Sequence, residues 1–190
     1  PVDTISANLD GIKKCLEYVK RQKKGRVIVF SSATVYGNVF SQETVVGEED
    51  TIYADALHTA NTPYSESKRM TEVLARAYSI QEQVDVVIAR ISYVYGFSSP
   101  SPNTAFYEFI GKATRGENIT LNNSGMGRRD NIHVNDVVNG LLTIAQDGVC
   151  GEAYNISSNG DMGNYKAIDE IAEIIATSIG EVKSNYCVKA

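Results

Sequence analysis

Val86-Val87-Ile88-Ala89 is an unbroken apolar run inside a segment, Val84 to Ile91, of strand length. A strand with one buried face alternates apolar and polar side chains, so a continuous run predicts a strand covered on both faces, as in a parallel sheet. A second short run, Val27-Ile28-Val29-Phe30, lies upstream. Between the two, Pro63 to about Gln81 has helical periodicity, with Met70, Val73, Leu74 and Ala77 on one face. Strand, helix, strand in this order predicts a βαβ unit with a right-handed crossover, and with it the α/β class.

The flanks extend the pattern. Ile5, Leu9, Ile12, Leu16 and Val19 predict a helix over Thr4 to Lys23 that Gly25 stops. Lys20, Arg21, Lys23 and Lys24 crowd its end, where cations complement the helix dipole. The stretch from Gly37 to Thr62 is polar, acidic at Glu48, Glu49 and Asp50, and long enough to be read as a functional loop. Beyond Tyr95-Gly96, the Pro- and Ser-rich segment 97–103 marks a domain boundary. Helices are then expected over 104–115, 136–145 and 165–179, the second burying Val137, Val138, Leu141, Leu142 and Ile144. Strands are expected at 119–121, 131–134 and 153–156. The expected division is residues 1–97 against 98–190, with 131–157 packing back on the first part.

Composition narrows the class of partner. The chain has 190 residues, 43% of them hydrophobic, and a net charge of -5, which argues against nucleic acid or an anionic membrane as the main partner. No apolar run approaches the roughly 18 residues of a membrane span. Cys15, Cys150 and Cys187 are few and scattered, which favours a reducing, cytoplasmic setting over a disulfide framework or a zinc site. No metal site is expected.

The chemistry concentrates between Ser31 and Lys68. The first strand runs into Ser31-Ser32-Ala33-Thr34-Val35-Tyr36-Gly37, and the helix opens with Pro63-Tyr64-Ser65-Glu66-Ser67-Lys68. Four residues apart on a helix, Tyr64 and Lys68 share a face. A hydroxyl at a strand end and a tyrosine beside a lysine are the equipment for taking a proton from an alcohol. A Y-x-x-x-K pair alone is also a common surface accident. The ordered set is specific: Arg90-Ile91-Ser92-Tyr93-Val94-Tyr95-Gly96 ends the second strand, Arg129-Asp130-Asn131-Ile132-His133-Val134-Asn135-Asp136 follows, and Tyr154-Asn155-Ile156 comes later. With these motifs the chain resembles the extended short-chain dehydrogenase/reductases. Within them it resembles the NAD-dependent epimerase/dehydratase family, most nearly the UDP-glucose (UDP-galactose) 4-epimerases.

The resemblance implies an NAD(P)-binding Rossmann-like fold, a parallel sheet with flanking helices, plus a smaller α/β substrate-binding region. It implies that Ser32, Tyr64 and Lys68 form the catalytic set. Ser32 would hydrogen-bond the reacting sugar oxygen, Tyr64 would act as general base, and Lys68 would hold the nicotinamide ribose and keep the phenol ionised. Asn8, Ser31 and Ile91, with Tyr64 and Lys68, would border the cofactor. Thr34, Tyr93, Asn103 and Arg129, with Ser32, would meet the substrate, Arg129 at the diphosphate and the backbone of Ile119–Leu121 at the base. Arg128 could assist, and His58 in the long loop could approach substrate. Asp136 is read as the cap of the following helix and His133 as structural. The implied cofactor is NAD, with NADP open. The implied partner is a nucleotide sugar, commonly UDP-linked, and the implied assembly is a homodimer.

Electrostatics makes the catalytic set depend on its cofactor. A free tyrosine titrates near pH 10, so a base at neutral pH needs a shift of about three units, or about 4 kcal/mol. One ammonium about 6 Å away, at an effective dielectric near 20, supplies roughly 2.8 kcal/mol. The positive nicotinamide ring of NAD+ is the natural second contributor. Yet no G-x-G-x-x-G or G-x-x-G-x-x-G turn, which would cradle the pyrophosphate, occurs in the sequence. The expectation is a fragment that carries the second half of the dinucleotide fold, silent alone and active as part of a longer parent.

Two positions choose among reactions. Family 4,6-dehydratases place an acidic pair after the serine and the related decarboxylases keep a glutamate, whereas this chain has Ala33 and Thr34. That favours epimerisation at C4, oxidation followed by re-reduction from the other face, over dehydration. Tyr93 stands where the epimerases often carry asparagine, which keeps a dehydratase or reductase as the alternative. A non-catalytic sugar-nucleotide-binding module is the alternative of another class. A hydrolase is disfavoured, since there is no G-x-S-x-G elbow.

Overall fold

A computed structural model describes residues 2–37, 46–50, 62–99, 104–121, 125–161, 163–179 and 186–188. The chain forms two compact units, one of residues 1–92 with 136–157 and the other of 93–135 with 158–190.

In the first unit, α1 (Val2–Gln22) is followed by β1 (Arg26–Ser32), and α2 (Thr62–Glu82) by β2 (Asp85–Ile91). The unit is completed by α4 (Val134–Asp147), which begins at the boundary of the two units, and β6 (Ala153–Ile156). Its sheet has the order β1-β2-β6, all parallel. The α/β class and the βαβ unit are therefore as the sequence predicts. Val86 to Ala89 are all fully buried, which accounts for the unbroken run. Leu16, Val27, Val29, Ala75, Val84, Val86, Ile88 and Ala153 make one core, with Ile12, Val19 and Leu74 packed against it. Each aliphatic side chain fully buried here contributes about 1.5–3 kcal/mol.

α2 buries a different face from the one its apolar residues suggest. Met70 and Val73 are 51% and 60% exposed, while Ser65, Ser67, Thr71, Glu72 and Ala75 are buried. Small and hydroxyl-bearing side chains let the helix approach closely: Ser67 Oγ donates to Tyr64 O at 2.9 Å and Thr71 Oγ1 to Lys68 O at 2.6 Å. Their polar groups are thus satisfied locally. α4 likewise buries Val137 and Ile144 but exposes Val138 and Leu142. It starts at Val134, so Asp136 lies inside its first turn, complementing the dipole, rather than at the cap position.

The second unit contains β3 (Tyr93–Tyr95), α3 (Ala105–Thr114), β4 (Ile119–Leu121), β5 (Arg128–His133), β7 (Tyr165–Ala167), α5 (Ile168–Ser178) and β8 (Tyr186–Val188). β3 pairs with β5 in parallel, β5 with β7 antiparallel, and β4 with β8 in parallel. Residues 165–167 are thus a strand, not the first turn of a helix, because they complete the β5 ladder. α3, α5 and β4 share a core of Phe109, Ala113, Ile119, Leu121, Ile171, Ala172, Ile175 and Ala176. Among the described residues no helix is long and apolar enough to cross a membrane, and no group of His, Cys, Asp and Glu could hold a metal ion.

Candidate active site

β1 ends at Ser32, whose register partner in β2 is Ile91, and Ile91 in turn faces Ile156 of β6. Ser32 and Ile91 therefore sit at the carboxyl ends of parallel strands, where open α/β sheets place their ligands. Ser32 has extended backbone, φ -148°, and caps a 3-10 turn over Ala33–Tyr36. Its Oγ accepts from Thr34 N at 3.3 Å, which leaves its own O–H free to donate. Gly37 closes the turn with φ 72°, a conformation that favours glycine, and donates its N–H to Thr34 O at 3.0 Å. The Thr34 hydroxyl is buried with no partner among the described residues.

Tyr64 and Lys68 occupy the first two turns of α2. The ammonium of Lys68 lies 5.7 Å from the centre of the Tyr64 ring and donates to Phe30 O of β1 at 2.8 Å. Burial lowers the Lys68 pKa from the ordinary lysine value, and no carboxylate among the described residues offsets it. Tyr64 remains 40% exposed, open to a ligand. Asn8 of α1 donates to Ser67 Oγ at 2.8 Å, tying α1 to the helix of Tyr64.

Behind this row lies a feature that the sequence reading missed. Glu72, one turn beyond Lys68, forms a buried fork with Arg90: Nε to Oε1 at 3.1 Å and Nη2 to Oε2 at 2.8 Å. Ser31 Oγ donates to the same Oε1 at 2.5 Å, so its hydroxyl is directed at Glu72. Arg90 Nη1 donates to Tyr36 Oη at 2.9 Å and to Glu48 O at 3.0 Å. Tyr36 donates onward to Asn155 Oδ1 at 2.7 Å. Burial pulls the Arg90 guanidinium down, but hydrogen bonds to Glu72 and Tyr36 outweigh it and hold its pKa above the ordinary value. The available signal was an arginine ending an otherwise apolar buried strand, which demands a partner.

In the second unit the structure brings together two of the expected substrate residues. The Arg129 guanidinium lies 5.2 Å from the centre of the Tyr93 ring and donates to Arg128 O at 2.8 Å. Arg128 is engaged elsewhere, paired with Glu170 at 2.9 Å and donating to Tyr165 O at 3.1 Å. His133 accepts from Asn135 N at 3.3 Å and packs edge-on against Tyr95. Asn103 and His58 lie outside the described residues.

Residues 1–157 match the NAD dependent epimerase/dehydratase family. The chain belongs to that family. A dTDP-glucose 4,6-dehydratase of Streptomyces griseus is 26% identical over 179 residues, covering 94% of this chain and 52% of the relative. UDP-glucuronic acid decarboxylase 3 of Arabidopsis thaliana is 30% identical over 190 residues, covering 96% and 52%. Among solved structures, dTDP-glucose 4,6-dehydratase of Bacillus anthracis in complex with NAD superposes with a TM-score of 0.82 at 28% identity, covering 98% of this chain and 57% of that one. The chain thus spans about half the length of the curated relatives it matches. Family membership gives the parallel sheet its meaning, as the Rossmann-like fold of a family that acts on nucleotide sugars.

Proposed function

We propose that this chain carries the acid–base half of an NAD-dependent sugar-nucleotide 4-epimerase. The observation that carries the reading is the turn after Ser32, where Ala33 has no acid–base group and the Thr34 hydroxyl is buried. Elimination across C5 and C6 needs such groups; proton removal from one hydroxyl and its return do not. In this reading Tyr64 takes the proton of the C4 hydroxyl and Ser32 donates to the same oxygen. Lys68 stabilises the phenolate, and Tyr64 returns the proton once the sugar presents its other face. Arg129 and Tyr93 would hold the diphosphate side of the substrate and Asn103 a further part of it, whereas the Thr34 hydroxyl, expected from the resemblance to meet substrate, is buried away from it.

The half-buried ammonium of Lys68, without an offsetting carboxylate, fits the ribose hydroxyls of a dinucleotide. Asn8, Ile91, Tyr64 and Lys68 are the residues that would hold it; the buried Ser31 hydroxyl, committed to Glu72, would not. When bound, NAD supplies the hydride acceptor for the alcohol carbon. UDP as the carrier and a homodimer belong to the same reading and are supported by the resemblance alone; a cytoplasmic setting is supported by the few, scattered cysteines.

The dehydratases and decarboxylases among the relatives favour a second reading, and mass separates the two. The whole protein, given NAD and a panel of UDP- and dTDP-hexoses and UDP-hexuronic acids, is expected to yield an isomer of unchanged mass. A product lighter by one water, or by carbon dioxide from a hexuronic acid, would overturn the epimerase in favour of the relatives' reactions.

Lys68→Met separates catalysis from stability. A lysine whose folded pKa lies below its unfolded value opposes folding in full below the folded value, and the cost fades as pH rises from the folded to the unfolded value. Methionine removes that cost at neutral pH but also the bond to Phe30 O. The two offset, so melting is expected to stay within a few degrees while turnover falls by roughly 100-fold. Calorimetry and steady-state rates check both halves.

A further inference from the structure

The fork between Glu72 and Arg90 is placed where the proposed chemistry is assembled. Ser31, Arg90 and Asn155 are register partners across β1, β2 and β6, one residue before the row of Ser32, Ile91 and Ile156. The contacts of the fork with Ser31 and Tyr36 end beside Ser32. Ser31 precedes Ser32 in the chain. Tyr36 is the last residue of the turn that Ser32 caps. Glu72 is eight residues, about two turns, beyond Tyr64 on α2. The described part of the acidic loop is gathered to the same point, since Glu48 O accepts from Arg90, Glu48 Oε1 from Asn155 N at 2.6 Å, and Val46 O from Asn155 Nδ2 at 3.1 Å.

We infer that Glu72 and Arg90 are positioning residues, which lock the helix of Tyr64 onto the strand and turn of Ser32 through Ser31 and Tyr36. The inference rests on the epimerase-family chemistry proposed above. A stabilising ion pair could sit anywhere in the core; this one fixes the strand end, the turn and the helix against each other. Proton transfer requires that fixing, because a misplacement of about 1 Å costs on the order of 100-fold in rate.

Removing the fork itself would endanger folding, so the test uses its two outlying contacts. Ser31→Ala deletes the strand-to-helix hydrogen bond and Tyr36→Phe deletes only a hydroxyl, both in the whole protein. Each variant is expected to lower kcat by roughly 10- to 100-fold with KM within about twofold. Without substrate, each is expected to speed amide hydrogen exchange in peptides covering 31–37 and 62–72, leaving 84–91 protected. Unchanged exchange in those peptides overturns the lock whatever the turnover. Faster exchange with unchanged kcat, while Tyr64→Phe is inactive, overturns the positioning role and leaves the proposed function standing. If instead Tyr64→Phe turns over as fast as wild type, the functional reading fails and the positioning role fails with it; the exchange data then decide the lock alone.

Discussion

Tyr64→Phe is expected to lower the turnover of the whole protein by roughly 100- to 10,000-fold while leaving its fold in place. The phenylalanine ring keeps the face over which Lys68 sits at 5.7 Å, and Tyr64 is 40% exposed, so no packed volume is lost. Only the phenolic oxygen goes, and with it the group that takes the substrate proton. The Ser32 hydroxyl remains at the end of β1, able to donate to a sugar oxygen but with nothing to remove the proton. Substrate binding should therefore persist, with KM within a few-fold of wild type and the whole loss in kcat. A full rate in the variant would mean that another group is the base, and the site would have to be sought elsewhere in the chain.

The parts of this site that were legible in the sequence are those with short-range signatures. A continuous apolar run can be read as a two-sided strand because burial on both faces removes alternation, and Val86 to Ala89 show it. Ser32, Tyr64 and Lys68 were legible from order and spacing, since a strand end and one helical turn fix where they lie. The buried face of α2 was not. Hydrophobicity pointed to Met70 and Val73, yet the buried side holds Ser67, Thr71, Ala75 and the ion-paired Glu72. Polar residues bury there because each has a partner, and a partner 18 residues away is invisible to a periodicity argument. β7 was missed for a related reason: Tyr165–Ala167 is three residues long and is a strand only because β5 pairs with it.

Those long-range partners set the second large effect. Arg90→Met is expected to cost about 3–5 kcal/mol of stability, because it strands the Glu72 carboxylate in a site where the two side chains are only 5% and 7% exposed. The same change removes the donors to Tyr36 and Glu48 O, so the loss should fall at the upper end of that range. For a unit of this size the melting temperature should drop by on the order of 10 °C or more. The double variant Glu72→Leu with Arg90→Met separates two meanings of the pair. An ion pair replaced by apolar side chains of similar volume is often neutral for stability, since neither desolvation penalty remains. The double variant should therefore recover most of the lost melting temperature. If the pair serves position, its turnover should stay low, because Ser31 has lost its acceptor and Tyr36 its donor. Recovery of both stability and rate would assign the pair to the core alone. Recovery of neither would mean that the network, rather than the charge left behind, holds the three strand ends together. Thermal melts and kcat on the two variants give both answers.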